Sequence, residues 1–237
     1  LVAGPIERSK NLLEQIRKIP SQKNVSFENV VNGFTIILYG LFLKMVLADR
    51  ISILVNTVFG QVFMYGTIEL VIGAIGFAIQ IYCDFGSYSL IAIGTAQVMG
   101  FELMENFNTP YFAHSIKDFW RRWHISLSSW LRDYLYIPLG GNRHGKIRKY
   151  INIMVTFLMS GLWHGASWNY VIWGGLHGIY QVIGEMTNPL RGKIQNILKI
   201  NTTCDSYRLW QVGSTFFLTT FAWIFFRADS LKDSLYY

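Results

Sequence analysis

The residues best suited to chemistry in this chain of 237 residues are His164 and its neighbours, which read GLWHG from Gly161 to Gly165. They place one titratable imidazole inside an apolar stretch, residues 150–180. An ionisable side chain at membrane depth is costly, so it is a candidate functional group. An imidazole with an ordinary pKa of about 6.5 can take a proton from a hydroxyl and return it to a leaving group near neutral pH. The sequence therefore predicts proton-transfer catalysis by His164.

The small residues around His164 also allow a purely structural interpretation. On one helix face, Gly161 and Gly165 would let a neighbouring helix approach closely. A packed histidine, hydrogen-bonded to a carbonyl, is the alternative, and for these residues alone it is the commoner case. That alternative is stronger still for His177, which lies between Gly174 and Gly178.

The composition indicates a membrane protein. Hydrophobic residues make up 51% of the chain and charged residues 15%, whereas an average soluble domain is about 25% charged. The net charge of +7 comes from short basic clusters between apolar runs. Such clusters fit cytoplasmic loops and contact with anionic lipids better than a nucleic-acid groove. We therefore expect membrane lipids, and no nucleic acid, among the partners.

The apolar runs predict an all-α, polytopic transmembrane helical bundle, since about 20 residues of helix cross a bilayer. A first span is predicted over residues 31–48, with Lys44 reaching to the interface and Asp49 ending the segment. Asp84 is predicted to end a second span that begins at Thr67. Further apolar segments are residues 51–65, 89–101, 151–165, 168–183 and 209–226, the last with Trp210 and Trp223 as interface anchors, and a polar connection is predicted over 187–208.

Two segments predict amphipathic helices. Residues 11–19 form a short one, and residues 116–135 carry tryptophans on one face and basic residues with His124 on the other. The second pattern is typical of an interfacial or re-entrant helix, with an ordinary core-facing helix as the alternative. A turn containing Asn142 follows, and the basic cluster after it, residues 143–149, predicts a cytoplasmic loop.

Other catalytic motifs are absent from the sequence. It contains no P-loop, GxSxG, HExxH or dinucleotide fingerprint, and no Cys/His spacing typical of zinc. We therefore expect no metal site. Histidine acid–base chemistry in a membrane cavity remains, and acyl transfer from a thioester to an alcohol requires such a step.

Several motifs then follow one another along nearly the whole chain. They read DFWRRWHISL at residues 118–127, WLRDY at 130–134, IPLGGN at 137–142 and GLWHGA at 161–166, with AGPIER at 3–8 and a Glu-Asn-Phe-Asn-x-Pro-Tyr run at 105–111. Together they resemble the membrane-bound O-acyltransferase (MBOAT) family, in the bacterial branch that includes the alginate O-acetylation membrane protein. The D-alanyl transfer protein of teichoic acid synthesis is a more distant relative.

The resemblance implies a ring of membrane helices around a thinned centre, with a tunnel that passes the catalytic histidine. By its motif, that histidine is His164, and His124 is a second functional position. The resemblance also implies an acyl thioester donor on the cytoplasmic side, which we expect to be acetyl-CoA, and no bound cofactor. The acceptor is a hydroxyl of an extracytoplasmic polysaccharide, reached with a secreted or periplasmic acetylation partner. The location is the bacterial cytoplasmic membrane, with several passes.

Further substrate contacts are predicted with less support from the sequence. The candidates are Asp84, Tyr88, Arg121, Arg122, Trp163 and Asn142. Helix packing is the favoured alternative for Asp84 and Tyr88, and lipid headgroups for the arginines. The family often reads YxDFSGYSD, whereas residues 82–90 read YCDFGSYSL, which puts donor choice or activity in question at Leu90.

We interpret residues 1–237 as a single MBOAT-type membrane domain, an internal fragment that lacks N-terminal helices and the extreme C-terminus. Two alternatives to acetyl transfer remain open. One is transfer of D-alanyl or another acyl group to a wall polymer. The other is a non-enzymatic transporter, or a scaffold for a secreted acetylation partner, although the inverted repeat of many transporters is not visible here.

Overall fold

The computed structural model describes residues 4–18 and 26–237, and in these residues it is helical without a β-strand. The α-helices are α1 Ser9–Lys18, α2 Phe27–Phe42, α3 Asp49–Gly60, α4 Thr67–Val98, α5 Ile116–Arg122, α6 Ile125–Leu131, α7 Gly145–His164, α8 Trp168–Ile197, α9 Asp205–Arg227 and α10 Leu231–Tyr236. The predicted all-α fold is confirmed. The short helix predicted over 11–19 corresponds to α1, and Ile19 lies outside the described residues.

Within the described residues, three helices are long and apolar enough to cross a membrane. They are Phe27–Gly60, Thr67–Val98 and Asp205–Arg227. The first of them joins α2 and α3 through a π-helical turn, Leu43–Ala48. These helices confirm a helical membrane bundle.

Two predicted helix ends are wrong. Asp49 and Arg50 continue the first helix rather than end it, and Asp84 lies at the middle of α4. Lys44, predicted to reach to the interface, pairs through its Nζ with the carboxylates of Asp49 and Asp84. Charges paired in this way need not interrupt a membrane helix, so hydropathy alone misplaced these ends.

Glycines bring α2 and α4 close together. A Cβ on Gly33 would lie 2.7 Å from the carbonyl oxygen of Gly94, and a Cβ on Gly40 would lie 3.0 Å from that of Ser87. Small residues permit such close contact between membrane helices. Helices α2 and α4 are therefore closely packed at both Gly33 and Gly40.

The chain reverses direction directly after His164, which is the last residue of α7. Gly165 (φ +157°) leads into a turn whose Ser167 Oγ accepts from Asn169 N at 3.3 Å and begins α8. A side chain at Gly161 would collide with the carbonyl of Tyr170 in α8. The predicted close approach at Gly161 is confirmed, but Gly165 lies beyond the helix rather than on its face.

Several boundaries around this hairpin also differ from prediction. Lys146, Arg148 and Lys149 belong to α7, so the predicted basic loop is largely helical. Helix α8 continues past Glu185 to Ile197, and Pro189 lies within it. The predicted polar connection over 187–208 therefore shrinks to the residues after Ile197.

The core is an aromatic cluster rather than an interfacial belt. Trp123 and Trp223 are 3% and 1% exposed, with ring centroids 5.0 Å apart, and Trp173 stacks on Trp223 at 5.6 Å. The prediction of Trp223 as an interface anchor is wrong, whereas Trp210 is exposed. Mutual burial of large aromatic rings is favourable. A tryptophan near the end of an apolar segment can therefore pack in the core instead of lying at the membrane interface.

Candidate active site

His124 lies at a break between two short helices. Helix α5 ends at Arg122, His124 adopts a left-handed conformation (φ +43°), and α6 begins at Ile125. The single helix predicted over 116–135 is therefore wrong. A non-glycine residue with this φ is uncommon, and such strain persists only where the surroundings hold it.

Asn106 supplies that restraint. Its backbone carbonyl accepts from Ile125 N at 2.9 Å, and its side-chain Oδ1 accepts from Ser126 Oγ at 2.9 Å. Its amide nitrogen donates to Ser89 Oγ on α4 at 3.1 Å. Asn106 is itself buried, so these bonds are shielded from water and hold the turn after His124 against α4.

The two histidines predicted to be functional lie near one another. The ring of Trp163 has its centroid 6.2 Å from that of His124 and 5.0 Å from that of His164. Phe85 contacts the His124 ring edge-to-face at 4.7 Å. Burial, together with the neighbouring His164, lowers the pKa of His124 to about 3. His124 is therefore neutral at physiological pH.

Three more aromatic rings surround His164. The centroids of Trp173 and Phe226 lie 5.1 Å from its ring, and that of Tyr170 lies at 6.3 Å. His164 is nevertheless only partly buried. It lies at the open end of the aromatic cluster rather than inside it.

A cavity of about 490 Å³, here called the polar cavity, lies beside these rings. Tyr170 and Phe226, which contact His164, form part of its wall. The other lining residues are mainly polar, namely Phe77, Gln80, Ile81, Asp84, Ser167, Asn169, Arg227, Ala228 and Asp229. Gln80 Oε1 is buried and has no hydrogen-bond partner among the residues that the structure describes. This cavity can therefore accommodate a hydroxylated ligand.

A second cavity of about 370 Å³, here called the basic cavity, runs along α7. It is lined from Lys149 to Ser160, a distance of about 16 Å along the helix, and Ser160 lies one turn before His164. Its cationic wall consists of Lys117, Arg121, Arg132 and Lys149, and its apolar wall includes Leu127, Leu131, Ile153 and Phe157. The cavity combines phosphate-binding groups with an apolar channel.

Glu185 is the carboxylate in the wall of the basic cavity. It forms a close ion pair with Lys149, and Lys117 Nζ lies 3.4 Å from its Oε1. Burial raises the pKa of this carboxyl, but the two ammonium groups outweigh burial, and the pKa is lowered overall. Glu185 therefore holds both lysines in place as a fixed anion.

His177 is a core residue. It is fully buried, and its Nδ1 accepts from Trp120 Nε1 at 3.2 Å. The packed interpretation therefore agrees with the structure, although the partner is an indole and not the expected backbone carbonyl. His177 and His164 both contact the ring of Trp173, because the chain reverses between them.

The remaining predicted site residues are distributed around these features. Asp84 lines the polar cavity, while Arg121 and Asn142 line the basic cavity. Trp163 lies between the two histidines, and Tyr88 is half exposed one turn beyond Asp84. Arg122 pairs with Asp118, with Nε 3.1 Å from Oδ1.

Sequence reasoning gave no functional role to Lys44, Asn106 and Glu185. For Lys44 the available signal was a cation at the centre of an apolar run. Asn106 belongs to the run at residues 105–111, and Glu185 lies just after the apolar segment 168–183. Each of them pairs with a residue far away in the chain. Lys44 and Asp84 are 40 residues apart, Asn106 and Ser126 are 20 apart, and Glu185 and Lys149 are 36 apart. Composition and periodicity could therefore not reveal these pairs.

Together, the fold and the site define a helical membrane protein with two neighbouring histidines close to a basic and a polar cavity. Residues 1–227 match the membrane-bound O-acyltransferase family, MBOAT. This chain therefore belongs to the membrane-bound O-acyltransferase family.

Similar proteins act on several polymers. A probable alginate O-acetylase of Pseudomonas aeruginosa is 39% identical over 236 residues, covering 98% of this chain and 42% of that protein. A peptidoglycan O-acetyltransferase of Helicobacter pylori is 37% identical, covering 99% of this chain and 43% of that protein. A teichoic acid D-alanyltransferase of Bacillus subtilis is 29% identical, covering 75% and 46%. The chain thus spans less than half the length of these relatives.

Proposed function

We propose that the full-length protein transfers an acetyl group from acetyl-CoA, a cytoplasmic thioester, to hydroxyls of an extracytoplasmic polysaccharide. The observation that carries this proposal is the position of His164: its ring neighbours Tyr170 and Phe226 line the polar cavity, and its own helix, α7, lines the basic cavity as far as Ser160. Two relatives are named as O-acetylating enzymes, which supports acetyl as the transferred group.

The basic cavity suits the donor. Lys117, Arg121, Arg132 and Lys149 offer cationic hydrogen-bond donors for phosphate groups, and the apolar wall suits an uncharged acyl-bearing arm. The basic residues at the start of α7 favour the cytoplasm at this end. Asn142 and Ser128 supply further polar contacts in the wall.

The polar cavity suits the acceptor and lies toward the opposite end of the bundle. Arg227 at the end of α9 donates to Asn56 Oδ1 near the end of α3 at 2.8 Å, and Asn169 Nδ2 donates to the carbonyl of Ala228 at 2.8 Å. These bonds group the ends of α3 and α9 with the start of α8. By the orientation argued for α7, that end is extracytoplasmic.

In the proposed reaction, neutral His164 takes the proton of the acceptor hydroxyl as its oxygen attacks the thioester carbonyl. The carbon–oxygen bond forms, the carbon–sulfur bond breaks, and the thiolate leaves with the proton from the imidazolium. His124, also neutral, orients the donor or assists the proton transfer. The aromatic rings around His164 limit competing attack by water.

Transfer of D-alanyl is the second candidate, since a relative is named as a teichoic acid D-alanyltransferase. We further propose that the protein crosses the bacterial cytoplasmic membrane several times. Where a secreted or periplasmic partner carries the acyl group onward to the polymer, the nucleophile that His164 deprotonates belongs to that partner. A transporter or scaffold role would leave transfer independent of His164.

The test is replacement of His164 by Ala in the full-length protein, with expression in the membrane confirmed. Ester-linked acetyl and D-alanine on the wall polymer and exopolysaccharide are then measured. Loss of acetyl supports the proposal, and loss of D-alanine alone would favour the second candidate. His144→Ala, which changes an exposed histidine in the turn before α7, is the control and should retain transfer. Undiminished acylation by His164→Ala would exclude catalysis by this residue.

A further inference from the structure

Three charged side chains form a cluster where two membrane helices meet. Lys44 lies at the middle of the helix Phe27–Gly60, and Asp84 at the middle of Thr67–Val98. Lys44 Nζ lies 2.7 Å from Asp84 Oδ1 and 2.8 Å from Asp49 Oδ1. Charged groups at the centre of a membrane span are costly and are retained mainly where they serve a function.

The local backbone is shaped to form this cluster. In the π-helical turn Leu43–Ala48, Asp49 N donates to the carbonyl of Lys44, five residues earlier. This wider turn brings Asp49 to the side of the helix that carries Lys44, and single π turns are frequent at functional sites. The contact of Gly40 with α4 brings Lys44 within reach of Asp84. Two independent features of the fold therefore serve one ion-pair cluster.

Asp84 connects this cluster to the candidate active site. It lines the polar cavity together with Tyr170 and Phe226, and these two rings contact the ring of His164. The next residue, Phe85, contacts the ring of His124. The side chains of Lys44 and Asp84 are 41% and 47% exposed, and ionised groups at this depth face water or protein rather than lipid tails. Of these three side chains, Asp84 therefore lies at the wall of the polar cavity.

We propose that Lys44 is a positioning residue, which holds the Asp84 carboxylate at the wall of the polar cavity so that Asp84 accepts a hydrogen bond from the acceptor hydroxyl. The ammonium group offsets the cost of a carboxylate at mid-span, and an ionised carboxylate accepts hydrogen bonds but donates none. Asp84 thus orients the hydroxyl toward His164 and takes no proton itself. This role rests on the proposed acyl transfer.

The cluster offers a matched pair of variants. Asp84→Asn and Asp49→Asn each remove one carboxylate from the same lysine and leave one ion pair, but Asp84 lines the polar cavity and Asp49 does not. We expect Asp84→Asn to reduce kcat about a hundredfold, the effect of misplacing a reacting group by about 1 Å. Asp49→Asn should retain transfer. The measurement uses full-length protein in membrane vesicles, radiolabelled acetyl-CoA and the wall polysaccharide of the host strain.

Lys44 is tested in the same assay. Lys44→Met should lose transfer, Lys44→Arg should restore most of it, and the Kd of the purified protein for acetyl-CoA should stay unchanged in both. If Lys44→Met does not accumulate in the membrane, the proposal is tested by comparing transfer in Asp84→Asn with transfer in Asp49→Asn. Equal transfer by that pair, or full transfer by folded Lys44→Met, would overturn the proposal. If His164→Ala abolishes transfer while Asp84→Asn does not, only the positioning role fails and the acyltransferase assignment stands.

Discussion

Asn106 holds Ser126 through a buried hydrogen bond of 2.9 Å from the serine hydroxyl to the asparagine Oδ1. Ser126 follows His124 by two residues, so this bond fixes the turn that carries a candidate catalytic ring in a left-handed conformation. Asn106 also bonds to Ser89 of α4. The position of His124 therefore depends on a side chain from another segment of the chain.

Replacing Asn106 by Ala should loosen His124. Loss of its buried partners costs about 1–3 kcal/mol, and transfer should fall with it. Thermal unfolding of the purified full-length protein and acetyl transfer in vesicles measure the two effects. The control is Asn108→Ala, an exposed asparagine of the same loop, which should change neither. Equal behaviour of the two variants would contradict the restraint assigned to Asn106.

The conformation of His124 predicts different effects for two small substitutions. His124→Gly and His124→Ala both remove the ring and its contact with Phe85, and both should lose transfer. Only Gly adopts a positive φ without strain, so the His124→Gly variant should be more stable than the His124→Ala variant by about 1–2 kcal/mol. Differential scanning calorimetry of the two purified variants measures this difference in stability. A more stable Ala variant would refute the left-handed backbone at this position.

The contact between α7 and α8 predicts intolerance of a methyl group at Gly161. A Cβ there collides with the backbone of Tyr170, so Gly161→Ala should displace α8 and destabilise the protein by more than about 1 kcal/mol. Gly192 in α8 has open space around it, and Gly192→Ala should be neutral or stabilising by about 0.5–1 kcal/mol. Membrane accumulation and thermal unfolding distinguish the two, and equal stability would argue against the close helix contact.

Arg121 in the basic cavity predicts an effect on the donor rather than on the acceptor. Arg121→Met should raise the KM for acetyl-CoA by at least about tenfold, since a charge-assisted hydrogen bond contributes roughly 1.5–3 kcal/mol. Initial rates at varied acetyl-CoA test this. Arg208→Met, which removes a largely exposed arginine from α9, provides the comparison and should leave the KM as it was. An unchanged KM in Arg121→Met would place the phosphate groups elsewhere.

Glu185 predicts a pH dependence of stability. Its pKa in the folded protein lies below the ordinary value of 4.5, because Lys149 and Lys117 together outweigh burial. The carboxylate therefore stabilises the fold above about pH 4.5, and this stabilisation is lost as the pH falls through the lower folded value. Thermal unfolding from neutral to acidic pH should show a smaller acid loss for Glu185→Gln than for the parent. Asp205→Asn, at an exposed carboxylate, should follow the parent curve. Identical curves for Glu185→Gln and the parent would exclude this linkage.

Much of the fold was accessible from the sequence because hydropathy and length act locally. The apolar runs located the three candidate spans, and the motifs marked His164 and His124 as candidates. The errors arose at charges and at helix ends. Asp49 and Asp84 resemble helix ends only while their lysine partner is unknown. A tryptophan such as Trp223 resembles an interface anchor until its neighbours in the core are known.

By itself, the sequence determined the helical membrane class and the family, and it marked the two histidines as candidates, since each depends on residues close together in the chain. The tertiary structure alone decided that Lys44 meets Asp84, that Asn106 holds the turn after His124, and that Glu185 holds Lys149. These pairings depend on how closely helices approach and on which faces they present. That approach is set by contacts between glycines and aromatic rings far apart in the chain, which no local pattern encodes.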